Sequence, residues 1–196
     1  MIKLLMLMIF AYIVGGIPFA YILVKLKTGK DIRTIGSGNV GGTNAARAAG
    51  IHIGLLVGLL DMLKGALPTY IALKVCGADA AVLVGVTAVI GHMFTPFLSF
   101  QGGKGVATGT GAFLVLAPDA VAVGTVIWLI ITAIFRFVSL GSMMAAVGMA
   151  VYVILFKDIP MLWVASIALA LLIIVRHRSN IRRLLKGEEP KFKFRQ

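Results

Sequence analysis

Acidic residues and cysteine are scarce in this 196-residue chain. It has 7 Asp and Glu against 19 Lys and Arg, which gives a formal net charge of +12, and its one cysteine is Cys76. A single thiol excludes an intramolecular disulfide framework and a metal site built from several thiolates. So few carboxylates also leave little for an enzyme that works through carboxylate-bound metal, so we expect no metal cofactor.

Charged residues make up only 13% of the chain, whereas 60% of it is hydrophobic. A soluble domain has about 25% charged and roughly 45–50% apolar residues. The apolar residues gather in repeated stretches long enough to cross a bilayer, which predicts a membrane protein and argues against nucleic acid as a partner. We therefore expect the positive charge to orient the protein at an anionic leaflet and to bind anionic substrates.

Seven apolar runs are candidate transmembrane helices, and they predict an all-α, polytopic membrane helix bundle in a single domain, 1–196. The runs are 4–24, 54–73, 80–100, 106–117, 120–135, 138–156 and 161–175. The fourth run is short and rich in Gly and Thr, and a hydrocarbon core is about 30 Å thick. A topology with five crossings is therefore the alternative.

The distribution of Lys and Arg predicts the orientation. With seven crossings, Lys3, Lys74 and Lys157 fall on one side, Lys64 lies inside a span, and all the others, Lys193 and Arg195 included, fall on the side of the C-terminus. The positive-inside rule then places the C-terminus in the cytoplasm and the N-terminus outside.

The first polar segment of interest is 36–47, with the sequence Gly-Ser-Gly-Asn-Val-Gly-Gly-Thr-Asn-Ala-Ala-Arg. Its glycines expose backbone N–H groups, its Ser, Thr and Asn side chains add donors, and the fork of Arg47 suits phosphate oxygens. This composition predicts an oxyanion cradle. A flexible connector is the alternative interpretation, and the order of residues is not that of a nucleotide-binding P-loop.

The second segment, 91–108, contains His92 near the predicted cytoplasmic end of the third span and Lys104 among three glycines. Glycine lets a ligand approach the backbone closely, so this segment also predicts an anion site. The alternatives are a histidine that links helices by hydrogen bonds, and glycines such as Gly105 and Gly109 that serve helix packing.

The third segment, 176–189, follows the last span and contains His177 and Asn180, which would share one face of a helix. The alternative is a basic amphipathic helix on anionic lipid.

Polar side chains also lie inside or beside the spans. Asp61 and Lys64, three residues apart, can neutralise each other and pair helices. Ser139 and Ser142, beside Arg136, either add to the anion site or cap a helix.

The three segments resemble those of bacterial integral-membrane glycerol-3-phosphate acyltransferases that use an acyl phosphate donor. The family patterns are Ser-Gly-Asn-x-Gly-x-Thr-Asn (here 37–44), Gly-His with Phe-x-Gly-Gly-Lys-Gly-Val-Ala-Thr (91–92 and 100–108), and His-x-x-Asn-Ile-x-Arg-Leu (177–184). The resemblance implies a multi-pass enzyme of the bacterial cytoplasmic (inner) membrane in the first step of phospholipid synthesis. It would move a fatty acyl group from acyl phosphate to the sn-1 hydroxyl of glycerol 3-phosphate, without an acyl-enzyme, forming lysophosphatidic acid and phosphate.

We assign site residues on this resemblance. One phosphate site comprises Ser37, Asn39, Thr43, Asn44 and Arg47, and the pocket is completed by Gly102, Gly103, Lys104, Ser142 and Asn180. The catalytic residues are Lys104, which contacts phosphate, and His92 or His177, which orients or deprotonates the attacking hydroxyl. The substrate's own phosphate is the alternative base.

The remaining hypotheses concern partners and rival functions. Besides the two substrates and membrane lipid, a soluble enzyme that makes acyl phosphate is a candidate partner, and no nucleic acid is expected. A transporter of a phosphorylated solute is the main alternative function. A transferase with metal-bound carboxylates is disfavoured, because the acids do not cluster outside the tail.

Overall fold

The computed structural model describes residues 1–192, and within that range the chain is all α-helical apart from loops and two short 3₁₀ turns. The predicted all-α class is confirmed. The chain divides into two compact units, a first unit, Met1–Leu116, and a second unit that begins at Ala117. Lys193 and Arg195, which we used to predict the orientation, lie outside the described residues.

The first unit has six α-helices within the described residues. They are α1 (Ile2–Gly16), α2 (Phe19–Thr28), α3 (Gly42–Ala49), α4 (Ile51–Cys76), α5 (Ala78–Met93) and α6 (Val106–Leu116). The 3₁₀ turns, Ile32–Thr34 and Pro96–Leu98, lie before α3 and after α5. Part of the core is formed by small and β-branched residues of α1, α4 and α5, such as Ala11, Ala72 and Val84.

The first apolar run is broken between α1 and α2, at Ile17 and Pro18. Proline lacks an N–H and disfavours helical geometry in the residue before it, so the helix ends there. The carbonyls exposed by the break have partners: the Thr95 hydroxyl donates to the oxygen of Gly16 (2.6 Å), and the Lys64 ammonium to that of Ile17 (2.8 Å).

Glycines permit close contact between α4 and α6. A Cβ on Gly65 would collide with the carbonyl of Thr108, and one on Gly111 would collide with the carbonyl of Met62. Backbones this close are typical of helix packing in membranes, where small residues replace the hydrophobic driving force. The packing interpretation of the glycines in α6 therefore holds for Gly111.

The second unit contains α7 (Pro118–Phe135), α8 (Val138–Phe156), α9 (Pro160–Arg176) and α10 (Arg178–Leu185). The axes of α9 and α10 differ by 57°. Between α8 and α9, Lys157 forms an ion pair with Asp119 of α7 (2.6 Å), and Tyr152 donates a hydrogen bond to the same carboxylate (3.0 Å). This cluster fixes the ends of α7 and α8.

Every predicted apolar run contains a helix, but not every helix is long enough to span. Within residues 1–192, five helical segments are long and apolar enough to cross a membrane, and six if the bent pair of α9 and α10 is one span. The α1–α2 pair counts as one span of 27 residues, and α6 falls below the required length. The membrane-helix class is confirmed, while the seven-crossing count and the orientation stay predictions.

Candidate functional site

The segment 36–47 is folded around the buried side chain of Asn44, which is 1% exposed. The amide nitrogen of Asn44 lies within hydrogen-bond distance of three carbonyl oxygens, and its Oδ1 accepts the N–H of Ser37 at 3.2 Å. The three carbonyls are those of Ile32 (3.3 Å), Ile35 (2.9 Å) and Asn39 (3.1 Å). Because one side chain ties four backbone groups, this segment has a fixed shape and is not a flexible connector.

The other predicted ligands of this segment differ from Asn44 in exposure. Ser37, Thr43 and Arg47 are exposed, and Asn39 is half-buried. Gly36 has φ of +58°, and a Cβ on it would lie 3.9 Å from Cδ of Arg47 and 2.5 Å from Oδ1 of Asn44. The stem of Arg47 therefore runs beside the turn that carries Ser37, which brings a hydroxyl and a guanidinium close together.

The second segment packs against the end of α5. Gly102 donates its N–H to the carbonyl of Met93 (3.1 Å), and Gly103 donates to the carbonyl of His92 (3.1 Å). A Cβ on Gly103 would collide with Nε2 of His92 and would lie 2.6 Å from the carbonyl oxygen of Val40. Only glycine fits there, and Gly103 is the point at which the first and second segments meet.

A buried ion pair lies beside His92. Lys64 Nζ is 2.8 Å from Oδ1 of Asp61, as their spacing in α4 predicted, and both side chains are 3% exposed. The same Oδ1 is 3.8 Å from Nδ1 of His92. These three side chains and Gly103 line a cavity of about 10 Å³, enough volume for about one water molecule.

In the second unit, the carboxylate of Glu189 gathers three donors. It accepts hydrogen bonds from the hydroxyl of Ser139 (2.6 Å), the amide of Asn180 (2.7 Å) and Nε of Arg183 (2.8 Å). The N–H of Phe192 also donates to the carbonyl of Arg136 (2.7 Å). Residues after α10 are thereby attached to the start of α8.

The environment of Glu189 acts on its ionisation. Burial raises the pKa of this carboxyl, but the hydrogen bonds from Ser139, Asn180 and Arg183 favour the anion and outweigh burial. The pKa of Glu189 is therefore held below its usual value, and the group is a carboxylate at neutral pH.

The remaining predicted residues of the second unit bond to their own helices. Nδ1 of His177, at the bend between α9 and α10, lies 2.8 Å from the carbonyl of Ile173. Ser142 donates to the carbonyl of Val138 (2.9 Å), and neither Ser142 nor Ser139 caps α8. The cap interpretation of these two serines is wrong, because Ser139 instead bonds to Glu189.

The structure thus brings together, in the first unit, Asn44 with Ser37, Arg47 with the same turn, and His92 with Gly102 and Gly103. Sequence reasoning missed the gathering role of Glu189 and the proximity of Asp61 to His92. Within residues 1–192, no group of three or more His, Cys, Asp or Glu side chains is arranged to hold a metal ion.

Comparison with known proteins agrees with these three segments. The sequence model of a family described as glycerol-3-phosphate acyltransferase matches residues 5–187. The chain belongs to the glycerol-3-phosphate acyltransferase family. A glycerol-3-phosphate acyltransferase of Trichlorobacter lovleyi is 44% identical over 184 residues, which cover 93% of this chain and 94% of that protein. One from Aquifex aeolicus is 43% identical, with 97% and 100% covered.

Two solved structures of this acyltransferase family share the fold. The chain matches a crystal structure of PlsY, an integral membrane glycerol 3-phosphate acyltransferase, in its glycerol 3-phosphate form, with a TM-score of 0.94, 41% identity and coverage of 97% and 96%. The lysophosphatidic acid form gives a TM-score of 0.90 with 39% identity and the same coverage. The chain is therefore an integral membrane acyltransferase, and a place in phospholipid biosynthesis follows from the family.

Proposed function

We propose that this acyltransferase moves a fatty acyl group from acyl phosphate to the sn-1 hydroxyl of glycerol 3-phosphate in one step. The products are lysophosphatidic acid and inorganic phosphate. The observation that carries the proposal is the fixed loop built on Asn44, which presents Ser37, Thr43 and Arg47 outward and adjoins Gly103, the residue before Lys104. Both proposed substrates carry phosphate, and these groups are typical phosphate ligands.

The chemistry needs no covalent intermediate. The hydroxyl oxygen attacks the acyl carbonyl carbon, the new C–O bond forms, and the bond from that carbon to the phosphate oxygen breaks. Phosphate is a good leaving group in this mixed anhydride, so positioning and charge stabilisation supply the catalysis. The proton of the hydroxyl passes to His92 or His177, or to a phosphate oxygen of the substrate.

We assign the phosphate contacts according to exposure and bonding. Ser37, Asn39, Thr43, Arg47 and Lys104 contact phosphate directly. Asn44 belongs to the site as the side chain that holds the loop in shape, since its amide already bonds to the backbone. Gly102 and Gly103 contribute close approach of substrate, because their N–H groups donate to carbonyls of α5.

In the second unit, Ser142, His177 and Asn180 contribute to substrate binding. Asn180 also bonds to Glu189, which would fix the angle of its amide.

We further propose seven crossings, with α6 as the fourth, the N-terminus outside and the C-terminus in the cytoplasm of a bacterial inner membrane. The match of one family model across residues 5–187 supports a single domain made of both units. A soluble enzyme that makes acyl phosphate would deliver the donor at the cytoplasmic face.

The test is turnover by the purified protein in detergent with acyl phosphate and glycerol 3-phosphate, followed by release of phosphate and formation of lysophosphatidic acid. A transporter would need two compartments, so turnover in micelles separates the two functions. An acyl thioester in place of acyl phosphate tests the donor, and we expect no product from it.

Arg47→Ala and Lys104→Ala each remove a charged phosphate contact and should cost about 2–4 kcal/mol in kcat/KM. Arg33→Ala, which removes an exposed arginine paired with Asp31, is the matched control and should leave kcat/KM unchanged. If both Arg47→Ala and Lys104→Ala retain activity within about threefold of the wild type, the site assignment is wrong. If His92→Ala and His177→Ala each keep most of kcat, the base is the substrate's phosphate.

A further inference from the structure

The ring of His92 lies between an acidic group and the second glycine segment. Its Nδ1 is 3.8 Å from Oδ1 of Asp61, and its Nε2 is so close to Gly103 that a Cβ there would collide with it. The 3.8 Å separation is longer than a direct hydrogen bond. It is short enough for the field of a buried carboxylate to decide which ring nitrogen holds the proton.

The Asp61 carboxylate is itself fixed in position by Lys64. The ammonium lies 2.8 Å from Oδ1 and donates to the carbonyl of Ile17 at 2.8 Å, and Nζ is 5.6 Å from the centre of the Phe19 ring. The ion pair is thus anchored on the break between α1 and α2. A charge held from two helical elements does not follow the motion of the histidine ring, so it can impose an orientation on that ring.

We propose that Asp61, anchored by Lys64, is a positioning residue that keeps His92 in the tautomer with the proton on Nδ1. The Nε2 lone pair then faces the segment of Gly103 and Lys104. In this tautomer Nε2 can accept a hydrogen bond, whereas in the other tautomer it can only donate one. The inference rests on the proposed function, because the role of His92 toward the substrate hydroxyl does.

The tautomer can be observed without any assay of activity. The chain has three histidines, so ¹⁵N-histidine labelling of the full protein in detergent gives three ring systems, and loss of one set in His92→Gln assigns it. Long-range ¹H–¹⁵N correlation spectra show which ring nitrogen carries hydrogen. We expect the wild type to show Nδ1 protonated and Nε2 unprotonated, and the reverse pattern in the wild type would overturn the proposal.

Asp61→Asn tests the cause. We expect His92 to lose the single Nδ1–H pattern and to populate the other tautomer, and an unchanged pattern in the folded variant would overturn the proposal. Because this variant leaves Lys64 buried without its counter-ion, the double variant Asp61→Asn/Lys64→Met provides a second form without buried charge, with the same expectation. Asp119→Asn breaks a carboxylate–lysine pair of similar distance, 2.6 Å, and should leave the His92 pattern unchanged.

Kinetics test the positioning role. Asp61→Asn should lower kcat by at least about tenfold while KM for glycerol 3-phosphate stays within about threefold, since only the orientation of the acting group changes. Asp61→Glu, which keeps the carboxylate, should recover part of kcat. A changed tautomer with unchanged kcat would overturn the positioning role. If the wild type fails to use acyl phosphate, the proposed function fails while the spectra still decide the coupling of Asp61 to His92.

Discussion

The segments 36–47 and 176–192 are each held by one buried polar side chain, but of opposite chemical kinds. Asn44 is neutral and bonds to backbone groups, mostly as a donor to carbonyl oxygens. Glu189 is an anion that only accepts, and its partners are the side chains of three residues. The first arrangement fixes the path of a loop, whereas the second fixes side chains and attaches the residues after α10.

The difference determines how each arrangement can fail. An amide both donates and accepts, so no acid or hydrocarbon of similar size can replace it, and its bonds do not depend on pH. A carboxylate accepts several hydrogen bonds only while it is ionised. The loop of the first unit should therefore be sensitive to substitution alone, and the attachment in the second unit should be sensitive to substitution and to acid.

The largest effect is expected for Asn44→Asp. The acid would place oxygen next to three carbonyls that now receive the amide, and it would bury a charge, so we expect a loss of more than about 3 kcal/mol of stability. Unfolding in mixed detergent and dodecyl sulfate micelles measures this loss. Thr43→Ala, at an exposed neighbour, is the control and should change stability little. Equal stabilities of Asn44→Asp and the wild type would show that the loop does not depend on the amide.

A smaller loss is expected for Glu189→Ala, at about 1–3 kcal/mol, because the buried hydroxyl of Ser139 and the amide of Asn180 lose their acceptor. The same unfolding measurement applies. Glu188→Gln changes the exposed neighbouring carboxylate and should have no effect. A destabilisation shared equally by both variants would mean that the net charge of the tail matters and the three hydrogen bonds do not.

A still smaller effect is expected from pH in the wild type. Because the folded pKa of Glu189 lies below that of a glutamate in the unfolded chain, about 4.3, its stabilising effect is fully present above about pH 5. It is lost as the pH falls through the lower folded value. Melting temperatures between neutral and acid pH should therefore fall more in the wild type than in Glu189→Gln. Parallel curves for the two proteins would contradict the role of the carboxylate.

No measurable change is expected for Asp31→Asn. Asp31 and Arg33 form a short ion pair, 2.6 Å, but their side chains are 25% and 40% exposed, and exposed pairs contribute little. The Arg33 guanidinium beside it holds the pKa of the Asp31 carboxyl below its usual value. Melting temperature is again the measurement. A loss as large as that of Glu189→Ala would remove the distinction between buried and exposed carboxylates on which the comparison rests.

Composition and apolar runs were sufficient to predict the all-helical membrane class, because hydrophobic length is a local property of the sequence. The glycines and polar residues also indicated the segments on which the family resemblance depends. The α1–α2 break was not predicted within the run 4–24, although Gly15-Gly16-Ile17-Pro18 carries the signal. The length of a run is weighed over many residues, and one proline changes it little.

Roles inside the segments depended on contacts that sequence distance does not reveal. Asn44 looked like a phosphate ligand of the same kind as Thr43, and only burial separates them. Glu189 lies 50 residues from Ser139, and Asp61 lies on a different helix from His92. The scarcity of acids was the one available signal, since each carboxylate of a seven-acid membrane protein has to be neutralised or solvated.

The close contact of α6 with α4 has a consequence for the membrane around the protein. A helix of 11 residues is about 16 Å long, roughly half of the hydrocarbon thickness. Its height is therefore set by Gly65 and Gly111 against neighbouring carbonyls and not by a match to lipid length. Lys104, two residues before α6, is thereby held at a fixed depth, and bilayers of different acyl-chain length would leave that depth unchanged.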